Sequence, residues 1–359
     1  MVVVYIVIAI LMFGLLIAVH EFGHFITAKL LGVKVNEFAI GMGPRLLHRK
    51  KGETEYTLRL FPVGGFCAME GEEGESDDPR AFTNKSAWRR FIILVAGAFM
   101  NFVTGVLIFF FLFLGSAAPV AMTDTLVLPV IDHFMEGFPL EGEDGLLPGD
   151  RILKVDGHAI YLREDLDLFL SRAGETMDLV VERDGRRVEL KDLPLQKREY
   201  PGQEGLKYGL YFQQKEAGFG DKLALTWYNT IDTVRMVWLG LGDLVTGAAG
   251  LRDMTGPVGI VSMIGDVGAS APSALLGARS ILYFTAFIAI NLAVMNLLPI
   301  PALDGGQIFF LLVDKVYGLF TKKRIDPKYL GYINAAGLIA LLLLMAAVAV
   351  SDVLRLFGR

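Results

Sequence analysis

Two imidazoles and a carboxylate stand together at His20-Glu21-Phe22-Gly23-His24, and their spacing sets the chemistry open to them. On a helix, His20 and His24 project from one face, so both rings reach a single ion. Glu21 lies beside them without having to bind it. This is the H-E-x-x-H arrangement for zinc, with the glutamate free to take a proton from water. The setting sharpens the reading: from Met1 to Val19 no residue is charged and almost every side chain is apolar. Polar groups at membrane depth are costly and mark function. A chance match of a five-residue pattern is the plainer alternative.

A catalytic zinc takes three protein ligands and keeps a fourth position for water. Cys67 is the single cysteine, which excludes a disulfide framework and a cysteine-rich metal site, so the third ligand comes from His, Asp or Glu. Asp304 is the one carboxylate between Asp266 and Asp314, and it follows Asn296-Leu297-Leu298-Pro299-Ile300-Pro301-Ala302-Leu303. The two prolines interrupt a helix and free backbone carbonyls. Such backbone is tolerated at membrane depth only beside protein or a water-filled cavity. Asp304 is the expected third ligand. The competing reading, a helix-terminus residue at the interface, leaves the histidines without a partner.

The elements that must position these residues follow from composition. The chain has 359 residues, 53% hydrophobic and 20% charged, with a formal net charge of −5. That is too apolar for a soluble protein and suits an integral membrane protein with some soluble mass, in contact with the lipid bilayer. No basic patch with interleaved aromatics points to nucleic acid. Four runs approach the roughly 20 apolar residues that a bilayer requires: about 2–27, 91–115, 280–303 and 329–351. The first has no basic flank or small-residue cleavage site and reads as a retained helix rather than a signal peptide. Basic residues cluster between the first two runs (Lys34 to Arg90) and between the last two (Lys315, Lys322, Lys323, Arg324, Lys328). Positive loops stay in the cytosol, so both termini and the long middle segment are expected outside, with the zinc motif toward the cytosolic side.

Between the first two runs, alternation at Val33, Val35, Tyr56, Leu58 and Leu60, with glycines at 41, 43, 64 and 65, reads as short strands or a hairpin. Its edge could take an extended peptide as an added strand; an ordinary cytosolic hairpin is the alternative. The acidic run Glu70, Glu72, Glu73, Glu75, Asp77, Asp78 reads as solvated, mobile surface. Residues 122–214 form a β-rich module, with a hairpin at Asp184-Gly185 and a helix near 162–172. His133 and His158 within it are expected at the surface or in packing rather than on a metal. The apolar spacing from Leu223 to Leu241 suits an amphipathic helix in the outer interface.

At this point the chain resembles the site-2 protease family (peptidase family M50), the bacterial RseP-like intramembrane zinc metalloproteases. The likeness rests on His20-Glu21-Phe22-Gly23-His24, on Asn296 through Gly305, and on the Pro62-Val63-Gly64-Gly65-Phe66 hairpin. The run Asp144-Gly145-Leu146-Leu147-Pro148-Gly149-Asp150-Arg151-Ile152-Leu153-Lys154-Val155-Asp156-Gly157 is similar to the corresponding stretch of PDZ domains. The resemblance implies a multi-pass α-helical membrane protein with four transmembrane helices, a membrane-associated β-hairpin and one inserted, extracytoplasmic PDZ-like domain. The expected division is 1–121, 122–214 and 215–359, in a bacterial inner or plasma membrane. It implies Zn2+ on His20, His24 and Asp304, Glu21 as base, and Asn296 at the substrate backbone or oxyanion. In the second run, Gly97-Ala98-Phe99-Met100-Asn101 has alanine where relatives often have proline, leaving Asn101 without an assigned role. Implied substrates are single-pass membrane proteins already trimmed by another protease: anti-sigma factors and signal-peptide remnants, in regulated intramembrane proteolysis. Two rivals differ in what they require. A membrane-anchored adaptor with an inert metal has no use for Glu21, and a metal transporter needs polar residues through several spans, where the fourth run offers little beyond Asn334.

Overall fold

The computed structural model describes residues 2–72, 74, 76–118, 122–250, 254–321 and 327–357. Glu73 and Glu75 of the acidic run, and Lys322, Lys323 and Arg324 of the orientation argument, lie outside them. In chain order the elements are α1 (Val2–Leu30), β1 (Val35–Lys51), β2 (Thr54–Met69), α2 (Ala87–Gly115), β3 (Thr125–Phe134), β4 (Arg151–Val155), β5 (His158–Ala159) and α3 (Arg163–Arg172). Then follow β6 (Met177–Arg183), β7 (Arg186–Leu193), β8 (Leu210–Glu216), α4 (Phe219–Thr246), α5 (Pro257–Ser270), α6 (Ala274–Asn296), α7 (Asp304–Thr321) and α8 (Pro327–Phe357). The chain divides into two compact units: Met1–Leu112 with Thr233–Arg359, and Phe113–Asp232.

Four helices of the described chain are long and apolar enough to cross a membrane: Ile6–Leu30, Ala87–Gly115, Ala274–Asn296 and Gly331–Arg355. α1 ends in a Schellman turn: Gly32 takes φ +73°, and the amides of Val33 and Gly32 donate to Ala28 and Lys29 carbonyls at 2.8 and 3.2 Å. That turn sends the chain straight into β1. The third run differs from expectation. Its helix spans Ala274–Asn296, not 280–303, and stops before the prolines; Asp304 opens a separate helix, α7. A short apolar helix, α5, was not anticipated. It packs between α1 and α6 through Met12, Leu16, Ile264, Ile281 and Ile288.

The hairpin is longer and more folded than short strands. Val35–Ile40 pairs with Gly65–Met69 on one side, and Glu37–Ile40 stands opposite Glu55–Leu58 on the other. Arg45–Lys51 in turn pairs with Thr54–Arg59. Glycines at positive φ, Gly41, Gly43 and Gly64, sit where the register shifts and let the strands double back. Four strand segments result, with 65–69 at one edge. The base of this sheet, with Ala28 of α1 and Ile93 and Leu94 of α2, closes a core around Val33, Val35, Cys67, Met69 and Phe82. The acidic run that follows is tied down at its start rather than mobile. Glu70 accepts from Ser76 Oγ at 2.8 Å, Asn36 Nδ2 at 3.1 Å and Lys34 Nζ at 3.0 Å, and these bonds hold its carboxyl down to about 2.

In the second unit the strands lie in the order β7-β6-β4-β3-β8, with β5 paired to β4. Asp184 and Gly185 turn β6 into β7, both at positive φ (50° and 75°) as a type I′ hairpin requires. Asp150, fully buried, receives two hydrogen bonds from Arg183 at 2.7 and 2.8 Å, and Arg183 also donates to the carbonyls of Glu143 and Gly145. The loop before β4 is thereby clamped to β6. His133 stacks on Tyr211 and His158 on Phe169, with ring centroids 4.4 and 4.6 Å apart.

Candidate metal centre

α1 presents His20 and His24 one turn apart, their rings edge-to-face with centroids 4.8 Å apart. The Nε2 atoms lie 3.1 Å from each other. Asp304, the first residue of α7, brings Oδ2 to 3.1 Å from His20 Nε2 and 3.4 Å from His24 Nε2. All three side chains are at most 15% exposed. Among the described residues these three form the one cluster of metal-ligating types whose donor atoms meet within 4.8 Å.

The separations have a simple reading. Ligands about 2.0–2.1 Å from a tetrahedral zinc stand roughly 3.3 Å from one another, which matches all three distances. Asp304 Oδ2 is buried yet accepts no hydrogen bond of acceptable geometry. An anionic oxygen left this way beside two imidazole nitrogens is a costly arrangement unless a cation joins them. His24 Nδ1 is 2.8 Å from the Ile93 carbonyl; donation there puts the ring proton on Nδ1 and leaves the Nε2 lone pair for a metal. The donor set and its spacing fit Zn2+.

The neighbouring elements are held close by residues without side chains. A Cβ placed on Gly97 of α2 would overlap His24 Nε2 and come within 2.7 Å of His20 Cε1 and 2.8 Å of its Nε2. Gly97 is therefore the floor of the site, and only glycine fits there. On the other side, β2 runs along α1: Gly14 abuts the Pro62 carbonyl, and a Cβ on Gly65 would lie 3.5 Å from Glu21 Cγ and 2.9 Å from the Ala39 carbonyl. Glu21 thus faces the Gly65–Cys67 edge of the sheet. Asn296, the last residue of α6, has its amide nitrogen 3.4 Å from His20 Nδ1. Of the residues singled out by sequence, the structure gathers His20, His24, Asp304 and Asn296, with Glu21 on the same helix turn. Gly97 was missed because its role is a contact with another helix. Its one local signal is a glycine inside an apolar helical run, which normally has a packing reason.

Two histidines on an apolar helix of membrane length, met by a carboxylate from the start of α7 and with Glu21 next to them, form a cluster that could hold a metal ion and point to a membrane metalloenzyme. The sequence profile of peptidase family M50 matches residues 8–344. A zinc metalloprotease so named in Clostridium acetobutylicum is 38% identical over 97% of this chain and 97% of its own length. One from Clostridium perfringens is 39% identical over 98% of each. The regulator of sigma-W protease RasP of Bacillus subtilis is 28% identical over 97% of this chain and 98% of its own. The chain belongs to peptidase family M50, the site-2 protease family, and is a zinc metalloprotease of the membrane.

Proposed function

We propose that this protein hydrolyses peptide bonds within transmembrane segments of substrates already trimmed by another protease. His20, His24 and Asp304 would hold the zinc, which supplies Lewis acidity and draws the pKa of a water toward about 7. Glu21 takes the proton from the attacking water and returns it to the departing amine. Asn296, within reach of His20, would serve both that ring and the reacting carbonyl. A zinc-binding His20 carries its proton on Nδ1, so the amide oxygen belongs there and the amide nitrogen is left to donate to the developing oxyanion.

A substrate helix must unwind before its carbonyl is open to attack. The sheet edge at 65–69 supports strand addition as the way this cost is offset, because main-chain hydrogen bonds to that edge would align an extended segment beside Glu21. Residues 122–214 are read as a PDZ-like domain that sorts substrates, between membrane parts at 1–121 and 215–359. With basic loops retained in the cytosol, this module and both termini lie outside a bacterial cell membrane and the zinc site toward the cytosol. Likeness to a protein named for sigma-W regulation supports anti-sigma factors as one substrate class, and signal-peptide remnants share their form.

The observation that carries this reading is the convergence of His20 and His24 of α1 with Asp304 at the start of α7, beside Glu21 and the 65–69 edge of the hairpin sheet. Its test is cleavage of tagged single-span peptides by the purified protein in lipid vesicles, with the cut bond located by mass spectrometry. Cuts inside the apolar span agree with the proposal. Cuts confined to the soluble flanks contradict it.

A further inference from the structure

The turn that delivers Asp304 is held in a conformation its own residues do not favour. The Leu303 amide donates to the Ile300 carbonyl at 3.2 Å, Pro301 occupies the second position, and Ala302 the third with φ +73°. That is a type II turn. Its third position requires positive φ and normally takes glycine or asparagine, whereas proline at the second position suits types I and II alike. An alanine there favours the type I form, in which the central peptide is flipped and the Ala302 N–H points the opposite way.

What opposes that flip lies on α8. Asn334 Oδ1 accepts from the Ala302 N–H at 3.0 Å, a bond open only to the type II orientation. Three residues along the same face, Gly337 lies against Pro301: a Cβ there would overlap the Pro301 Cβ and come within 3.2 Å of its Cα. Immediately after the turn, the Leu303 carbonyl accepts from Gly306 and Gln307 at 3.0 and 3.2 Å and starts α7. The turn therefore sets where α7 begins and which way its first side chain, Asp304, points.

We propose that Asn334 is a positioning residue for the metal centre, locking the 300–303 turn through the Ala302 N–H so that Asp304 meets His20 and His24. The proposal rests on Asp304 being a zinc ligand. A partly buried amide in a helix of membrane length also needs such a partner, since burying it unpaired is unfavourable.

The test measures zinc affinity of the full-length protein in detergent by chelator competition, with the visible spectrum of the Co2+ form as a second readout. Asn334→Leu should weaken zinc about tenfold or more, the usual scale for residues that orient a ligand, and shift the Co2+ spectrum. In an Ala302→Gly background, where glycine accepts positive φ freely, the same Asn334→Leu change should weaken zinc less than about threefold. An equal loss in both backgrounds, or none in either, overturns the proposal. Should Asn334→Leu alone not accumulate, the Ala302→Gly/Asn334→Leu protein must, with zinc bound; its failure is equally adverse. Asp304→Asn, run alongside, separates the two levels: parental zinc affinity in that variant overturns the ligand assignment itself.

Discussion

Gly97→Ala adds one methyl group, and the structure says where it goes. The new carbon would overlap His24 Nε2 and stand 2.7 and 2.8 Å from two atoms of the His20 ring. Ordinary carbon contacts begin near 3.5 Å, so the His20 ring must retreat by about 0.7 Å and the His24 ring by more, or α2 must move away. Metal–ligand distances tolerate only about 0.2 Å. Zinc sites are worth about 10–16 kcal/mol in all, so displacing one of three protein ligands forfeits about 3 kcal/mol or more, a loss of roughly 150-fold in affinity. The assay is chelator competition on the purified protein. Gly105→Ala is the control: its methyl meets Ile290 Cγ1 at 2.6 Å and the Ala286 carbonyl at 2.8 Å, a helix contact on α6, and should lower the melting temperature while leaving zinc affinity alone. If Gly97→Ala binds zinc within about twofold of the parent, the floor-of-the-site argument is wrong.

Three further predictions use other parts of the molecule. Asp150→Ala removes the carboxylate partner of Arg183, leaving only its bonds to the Glu143 and Gly145 carbonyls, and should cost about 2–3 kcal/mol in the second unit, seen as faster hydrogen exchange across β4 and β6 with zinc content unchanged; parental exchange would refute it. Asp352, 3% exposed on α8, accepts from Gly259 and Gly256 amides at 2.9 and 3.3 Å and caps α5, so Asp352→Ala should destabilise the first unit by about 1–2 kcal/mol, and an unchanged thermal midpoint would count against the cap. Glu70 has its carboxyl held down to about 2, so its contribution is full above the ordinary carboxylate pKa and is lost as pH falls from there to about 2. The melting difference between the parent and Glu70→Gln should accordingly be present at neutral pH and close on acidification, and a difference that persists in strong acid would refute the tie.

What was legible in the sequence was local. His20 and His24 are fixed by a four-residue spacing on one helix, and Asp304 stands out as a lone carboxylate behind two prolines. The hairpin and the Asp184-Gly185 turn also announce themselves through alternation and turn residues. What escaped depends on partners far along the chain. α5 begins at Gly256-Pro257, which reads as a break, and its cap comes from Asp352 almost a hundred residues later. The third apolar run continues through Pro299 and Pro301, so hydropathy alone carries the span past Asn296, where the helix stops. The doubling back of the hairpin turns on backbone signs at Gly41, Gly43 and Gly64 that alternation does not encode. Gly97 matters for what lies across from it, and that is invisible without a neighbour.

The proposed hydrolysis turns on Glu21 acting as the base beside zinc. The direct measurement is cleavage of a tagged single-span substrate in membranes by the parent and by Glu21→Gln, with zinc content assayed for each. Full zinc is expected in both proteins, with a loss of cleavage of about 100-fold or more in the variant. Cleavage at the parental rate by zinc-loaded Glu21→Gln would contradict it.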